Sequence, residues 1–475
     1  MRKLYLPLIL AWTVAFAEGF STLAVEVIAI RLAVPVVGSS VVLTGVMLGV
    51  VLLALSAGYW RGGALSAGWT EDRTRRVLMR NLLIAAVLYG AVAFPLESMA
   101  LSKMLDWELP LPLAIGLAAA LLLLPLYLAS QTVPMLAELT NIDGHAGRAS
   151  GRILFFSTLG SVAGGVVTPV WLFPAIGVAR TGIVVCGMLV AAALAMAYER
   201  RLAVSGVAVA VMGLVAGVSA WAAPRHEVFS FDSEYQTIQI VEGMSKDGRP
   251  ERVLVSSGGR ASGVYKDTGE TSFAYARGAF RALQDSRADS LLVIGAAGFN
   301  LPRDASRLAY MKAIDAVDVD PIVKPISEQQ FLHQPLPPII RFFALSARYA
   351  VRKFGREGRR YGFTFLDAYF GQGIPEELVT LEFFKDVRRI SDRTVANLIT
   401  DRDLDSGFSS NFLATFREAF GDVWIVDVAP GDSYMANFLI SSWPIAGAER
   451  WNERGTPYRD DRNRAPWEFV AMKWY

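Results

Sequence analysis

The chain has 475 residues, 53% of them hydrophobic and 19% charged, with a net charge of +2 at pH 7. Soluble globular chains are usually about 45–50% apolar and about 25% charged, and the apolar excess here is concentrated in residues 1–223, while residues 225–475 have ordinary soluble composition. That distribution excludes a plain cytosolic enzyme, a disordered regulator and a disulfide scaffold; the near-neutral balance offers no basic stripe for nucleic acid, and the lone Cys186 leaves neither a disulfide nor a cysteine metal site.

A membrane-crossing helix needs about 20 mostly apolar residues. Seven blocks meet that requirement, at 4–31, 41–60, 80–98, 109–130, 153–174, 178–198 and 202–223. The first is not a signal peptide, being too long, carrying Glu18 and Glu26, and lacking a small-residue cleavage site. Short-loop basic residues set orientation. Arg2, Lys3, Arg61, Arg73, Arg75, Arg76, Arg80, Arg148, Arg152, Arg200 and Arg201 fall on one side, against Arg31, Lys103 and Arg180 on the other. The bias predicts a cytoplasmic N-terminus, and seven spans then put the polar domain outside the cytoplasm. The lipid bilayer is the first partner implied.

Ionised groups in hydrocarbon face protein or water. Glu18 and Glu26, eight residues apart, lie on similar faces of one helix. Two readings stand: a proton or cation path, or a structural pair of Glu26 with Arg31 while Glu18 bonds a neighbouring helix. Gly160, Gly164 and Gly165 in the fifth block are small enough to let helices approach closely.

From Phe229 the pattern turns to short β-branched runs. Thr237–Val241 and Arg252–Val255 read as strands of a small antiparallel unit. Ser290–Ile294, Ala313–Val319, Arg341–Leu345, Phe363–Leu366, Thr394–Leu398 and Val423–Val428 read as further strands, with helices at Pro375–Ile390 and Ser409–Phe420 among them. Such alternation predicts a doubly wound, largely parallel sheet. The organisation expected is a multi-pass helical membrane domain over 1–223, a small β unit over 224–285 and an α/β domain over 286–475. In a doubly wound sheet a glycine-rich first turn lets backbone approach a ligand, and an acid ending the second strand takes two ribose hydroxyls. Gly295, Gly298 and Asp318 have that spacing; a plain strand–helix connection would also place two glycines there. His226 and His333 lack partners at catalytic or metal spacing and read as surface residues, and Trp451, Trp467 and Trp474 as packing onto the domain.

Several stretches occur in a telling order: Ser233-Glu234-Tyr235-Gln236, Leu291-Leu292-Val293-Ile294-Gly295, Val317-Asp318-Val319-Asp320-Pro321, Phe365-Leu366-Asp367-Ala368-Tyr369, Ile374-Pro375-Glu376-Glu377-Leu378 and Glu382-Phe383-Phe384. Together they resemble the spermidine synthase (polyamine aminopropyltransferase) family, and more closely its bacterial branch with a fused, transporter-like membrane half, which with the orientation above implies a bacterial inner membrane and a periplasmic polar domain. The start of the membrane half, from Glu26 to Arg31, and Gly151-Arg152-Ile153-Leu154 leading to Leu159-Gly160-Ser161-Val162-Ala163-Gly164 are similar too.

The resemblance implies a Rossmann-like, methyltransferase-type domain and decarboxylated S-adenosylmethionine as co-substrate, with a polyamine amine attacking its aminopropyl carbon. Carried over by position, Gln236 contacts the donor with Gly295 and Gly298, Asp318 holds the ribose, Asp267 and Asp320 face the cationic substrate, and Asp367 receives the amine proton. There are departures. The family's Asp-Gly-x-x-Gln is Ser257-Gly258-Gly259-Arg260-Ala261, its Tyr-x-Glu becomes Thr271 and Phe273, and its acid-Ala at the adenine becomes Ser346-Ala347. Phe299 and Asn300 stand where small residues allow close approach, and the ribose acid is an Asp rather than a Glu. Each loss removes a charge or hydrogen bond worth ~1–3 kcal/mol when buried. The expectation is therefore a non-catalytic binding or assembly module, joined to other membrane-protein subunits or to polyamines. The alternatives are an active aminopropyltransferase and a polyamine transporter. Asp367 also has a plain reading as a cap for the following turn.

Overall fold

The apolar N-terminal blocks and the β-branched C-terminal runs form different architectures in the computed structural model, which describes residues 7–37, 41–93, 111–141, 144–196, 209–214, 217, 227–371, 373–431 and 433–472. The chain divides into two compact units, one of Met1–Val36 and Val42–Pro224, the other of Val37–Val41 and Arg225–Tyr475.

In the helical unit, five helices among the described residues are long and apolar enough to cross a membrane: Leu8–Ala33, Thr44–Ser66, Leu121–Thr140, Ala146–Ile176 and Val178–Met196. The expected count of seven is thus not reached among the described residues. The block 80–98 begins inside a helix, Glu71–Val87, whose first half is charged (Glu71, Asp72, Arg73, Arg75, Arg76), and its end lies outside the described residues. Most of the block 202–223 also lies outside them, as do Arg2, Lys3, Lys103, Arg200 and Arg201. Glycines bring helices together as expected at two of the three positions read for it. A Cβ on Gly160 or Gly164 would stand 2.1 and 2.2 Å from the carbonyl oxygens of Phe16 and Phe20, and one on Gly19 would stand 1.9 Å from that of Ser157. Gly165 faces open space, because one further residue turns it about 100° around the helix, away from this contact. No Glu26–Arg31 ion pair forms among the described residues; the Arg31 guanidinium lies 5.8 Å from the centroid of the Phe173 ring.

The second unit opens with a four-stranded antiparallel meander: β1 (Glu227–Asp232), β2 (Thr237–Met244), β3 (Pro250–Ser256) and β4 (Gly259–Tyr265). An eight-stranded sheet follows, built from β5 (Ser290–Ile294), β6 (Ala313–Asp318), β7 (Ile340–Ala344), β8 (Phe363–Leu366), β9 (Thr394–Asp401), β10 (Trp424–Asp427), β11 (Met435–Ser441) and β12 (Glu449–Arg450). Its order is β12-β10-β11-β9-β8-β5-β6-β7. Strands β5 to β9 are parallel, as expected. The far edge departs from that pattern: β11 runs antiparallel between β9 and β10, and β12 antiparallel to β10.

Period-two alternation fixes both faces of the sheet. Leu292 and Ile294 pack into one layer with Phe354, Phe384, Phe412 and Phe416. Leu291 and Val293 pack into the other with Ala279, Leu283 and Phe299. Burial on both sides explains why β5 reads as a continuous apolar run. Caps reset the starts of the predicted helices, shortening the one expected at Pro375–Ile390 and lengthening the one expected at Ser409–Phe420. Thr380 accepts from Phe383 N, so a 3-10 turn at Glu376–Leu378 precedes a helix at Leu381–Ile390, and Ser406 caps a helix at Gly407–Phe420. Trp451 is buried under Arg417 as expected for packing, Trp467 is exposed, and Trp474 and His226 lie outside the described residues.

Candidate nucleoside and amine site

The chain order reverses on either side of β5, which makes the carboxyl ends of β8, β5 and β6 the switch point where ligands bind in such sheets. Register places the key residues level there. Ile294 pairs with Val317 on β6 and with Leu366 on β8, so Gly295, Asp318 and Asp367 all sit one step beyond the last pair. Leu366 in turn pairs with Ala396, which sets Asn397 beside Asp367.

Gly295 is required by its surroundings. It has φ +91°, and a Cβ there would stand 2.3 Å from the Asp367 carbonyl oxygen. At Gly298 a Cβ would meet the Phe331 ring at 2.4 Å and Ser262 Cβ at 2.6 Å. The amides of this turn converge on one acid: Ala296 N and Ala297 N donate to Asp318 Oδ2 at 3.1 and 3.4 Å, and Asp320 N to Oδ1 at 3.1 Å. Burial pushes the Asp318 carboxyl up to about 6, aided by the nearby Asp320 and opposed by those three amides.

Phe299 does not thin the cradle. Its left-handed backbone (φ +56°) turns the ring into the core, fully buried and 5.5 Å from the Phe342 centroid. Asn300 likewise turns away, donating to Gly263 O at 2.9 Å. Both expectations of obstruction are corrected by this turn geometry. Asp320 is buried and accepts from Ser233 Oγ at 2.5 Å and from Ile322 N at 3.1 Å, so it ties the β1–β2 loop to the loop after β6. The same loop carries Gln236, buried, whose Oε1 accepts from Ser256 Oγ.

Asp367 accepts from Asn397 Nδ2 at 2.7 Å, and the Tyr275 hydroxyl adjoins it while donating to Ala261 O at 2.7 Å. Burial pushes its carboxyl up to about 7, opposed by the Asn397 amide and by the neighbouring Tyr275 hydroxyl. No cap bond to the following turn occupies it among the described hydrogen bonds, unlike Asp401. Asp267 lies elsewhere. It is exposed beyond the far end of β4, paired with Arg249 at 2.8 Å, and this pairing holds it below the usual carboxylate range. Sequence reading missed Asn397 and Tyr275. Asn397 is a buried amide in mid-strand, a signal that was present; Tyr275 reads only as a helix residue until the fold brings it across.

The fold is a doubly wound α/β domain, and this row of residues lies at its switch point. A stretch of 145 residues is 32% identical to a polyamine aminopropyltransferase from Vibrio vulnificus (strain CMCP6), covering 30% of this chain and 47% of that protein. The chain therefore spans about half the length of that relative. No family model matches the chain. Similar solved structures include a probable spermidine synthase from Corynebacterium glutamicum ATCC 13032, at 19% identity over 46% of this chain and 80% of that one, TM-score 0.37. Another is the spermidine synthase of Thermotoga maritima, at 17% identity over 52% and 87%, TM-score 0.36.

Proposed function

We propose that this is a membrane-anchored spermidine-synthase-like protein whose C-terminal unit transfers an aminopropyl group from decarboxylated S-adenosylmethionine to a small polyamine. The observation that carries the reading is Asp367: a desolvated carboxyl poised at about 7, level with the glycine turn and held only by neutral donors. In the reaction the amine nitrogen bonds to the aminopropyl carbon, the carbon–sulfur bond breaks, and its electron pair neutralises the sulfonium, releasing methylthioadenosine. Asp367 takes the amine proton; Asp318 holds the ribose while Gln236 and the Gly295–Gly298 turn hold the rest of the donor. Most of the acceleration in such a step comes from alignment and proton acceptance.

A second reading, a non-catalytic module docking to other membrane subunits, is supported by a different observation. Neither of the acids expected to face the polyamine is free to do so: Asp267 is paired on the exposed hairpin and Asp320 is tied to Ser233. Sidedness separates the two, because the donor is a cytoplasmic metabolite and a periplasmic domain would favour the second. The direct test is to supply purified protein with decarboxylated S-adenosylmethionine and putrescine. Release of methylthioadenosine supports the transferase; no release together with no donor binding by calorimetry supports the module.

A further inference from the structure

The helix Ala274–Ser286 turns two adjoining faces towards the sheet. One carries Tyr275, Ala276, Ala279 and Leu283 into the core. The other, with Arg277, Gly278, Arg281, Ala282 and Asp285 recurring at helical spacing, borders a cavity of about 310 Å³. That volume is at the lower end of the roughly 300–1,000 Å³ pockets that hold small molecules. The floor is the antiparallel end of the sheet. Val426 pairs with Leu439, so both point to the same side, and Val428 follows two residues on. Ile445, in the segment after β11, completes the apolar wall. Gly278 lets the helix sit this close: a Cβ there would stand 2.8 Å from Leu439 Cδ1 and 3.3 Å from Val428 Cγ1.

The charges around this cavity are sorted. Arg277 is anchored, its Nη1 donating to Thr271 O at 3.1 Å and to Ser272 O, which leaves its Nη2 and Nε donors. Arg281 lies about 6 Å further along the helix axis and Asp285 as far again. Neither side chain has a hydrogen bond or ion pair among the described residues. Asp427, on the opposite wall, is already spent: it accepts from Ala429 N at 2.9 Å and pairs with Arg402. Exposed charges on a helix are ordinarily just solvated, but here two guanidinium groups and one carboxylate edge an apolar floor with room for one small molecule. Arginine forks take a carboxylate in a bidentate grip. The Asp285 carboxylate takes an ammonium group, and Val426, Val428, Leu439 and Ile445 take a hydrocarbon side chain. We propose that this cavity is a binding site for a free α-amino acid with an apolar side chain, separate from the switch point and independent of the transferase reading.

The test is equilibrium dialysis of radiolabelled L-leucine against the full-length protein in detergent. Saturable binding of one leucine per chain is expected. L-leucine amide, which lacks the carboxylate, and 4-methylpentanoate, which lacks the ammonium group, should each compete at least tenfold less well than leucine. This competition needs no variant to fold. Arg281→Ala should weaken binding at least tenfold, and so should Ala446→Trp, which fills the cavity from an exposed position in its lining. Asp367→Asn should leave binding unchanged. Absence of saturable binding to the wild type, equal competition by either analogue, or binding that survives both cavity variants would overturn the site. Loss of binding in Asp367→Asn alone would put leucine at the switch point and overturn it as well.

Discussion

The two units bury carboxylates in contrasting ways. In the α/β unit, Asp315 is fully buried and is met by Arg341 at 2.7 Å, Arg359 at 3.0 Å and Tyr361 at 2.7 Å. Burial works against Asp401 too, yet hydrogen bonds from Ser406 and Thr400 hold it below the usual range. Those acids are fully spent on structure. Asp318 and Asp367 have only neutral donors and are pushed up towards neutrality, while Glu26 in the helical unit keeps an oxygen with no partner. Removing one member of a buried charged pair damages the fold; a desolvated acid with spare capacity is where chemistry or binding is placed.

The contrast breaks most visibly at the turn that separates the two acids. Gly295→Ala forces a Cβ into the Asp367 carbonyl and strains a positive φ, so a loss of about 3–5 kcal/mol is expected, seen as an earlier urea midpoint. Asp367→Asn keeps the shape and the Asn397 contact but removes the base, and turnover should fall about 100-fold or more. Asp318→Ala strips an acceptor from three amides and should weaken donor binding about tenfold or more by calorimetry, with a stability cost of about 1–3 kcal/mol.

Linkage sharpens the same contrast. The folded Asp367 titrates near 7 and the unfolded group near 3.8. Its contribution is therefore complete below the unfolded value and is lost as pH rises through the folded one. Asp367→Asn should stabilise the ligand-free protein at pH 8 by on the order of 2 kcal/mol and leave it little changed at pH 4, as thermal melts would show. The smallest effect belongs to Asp267→Asn. Its ion pair is exposed, and melting and turnover should stay within error of the wild type.

Much of the parallel half of the sheet is legible in the sequence. Ser290–Ile294 and Phe363–Leu366 are bounded as the β-branched and aromatic runs suggest, because burial on both faces leaves an unbroken apolar signal. The antiparallel strands Met435–Ser441 and Glu449–Arg450 escape, since their pairing is decided by tertiary contacts, not by local pattern. At the site, Gly295, Asp318 and Asp367 stand out by motif order. The direction of the Phe299 ring depends on a left-handed backbone that residue type does not reveal, and so an obstruction was inferred where none exists. The helical blocks show in hydropathy, but the orphaned oxygens of Ser21 and Thr168 emerge only once a neighbouring helix seals them from water.

The most direct measurement is the pH dependence of methylthioadenosine release from decarboxylated S-adenosylmethionine and saturating putrescine. In the wild type the rate is expected to fall as pH drops below an apparent pKa near 7, and this acid-side limb is expected to disappear, leaving the residual rate, in Asp367→Asn. A rate in the Asp367→Asn protein that matches the wild type in size and pH profile would contradict the role given to this carboxyl.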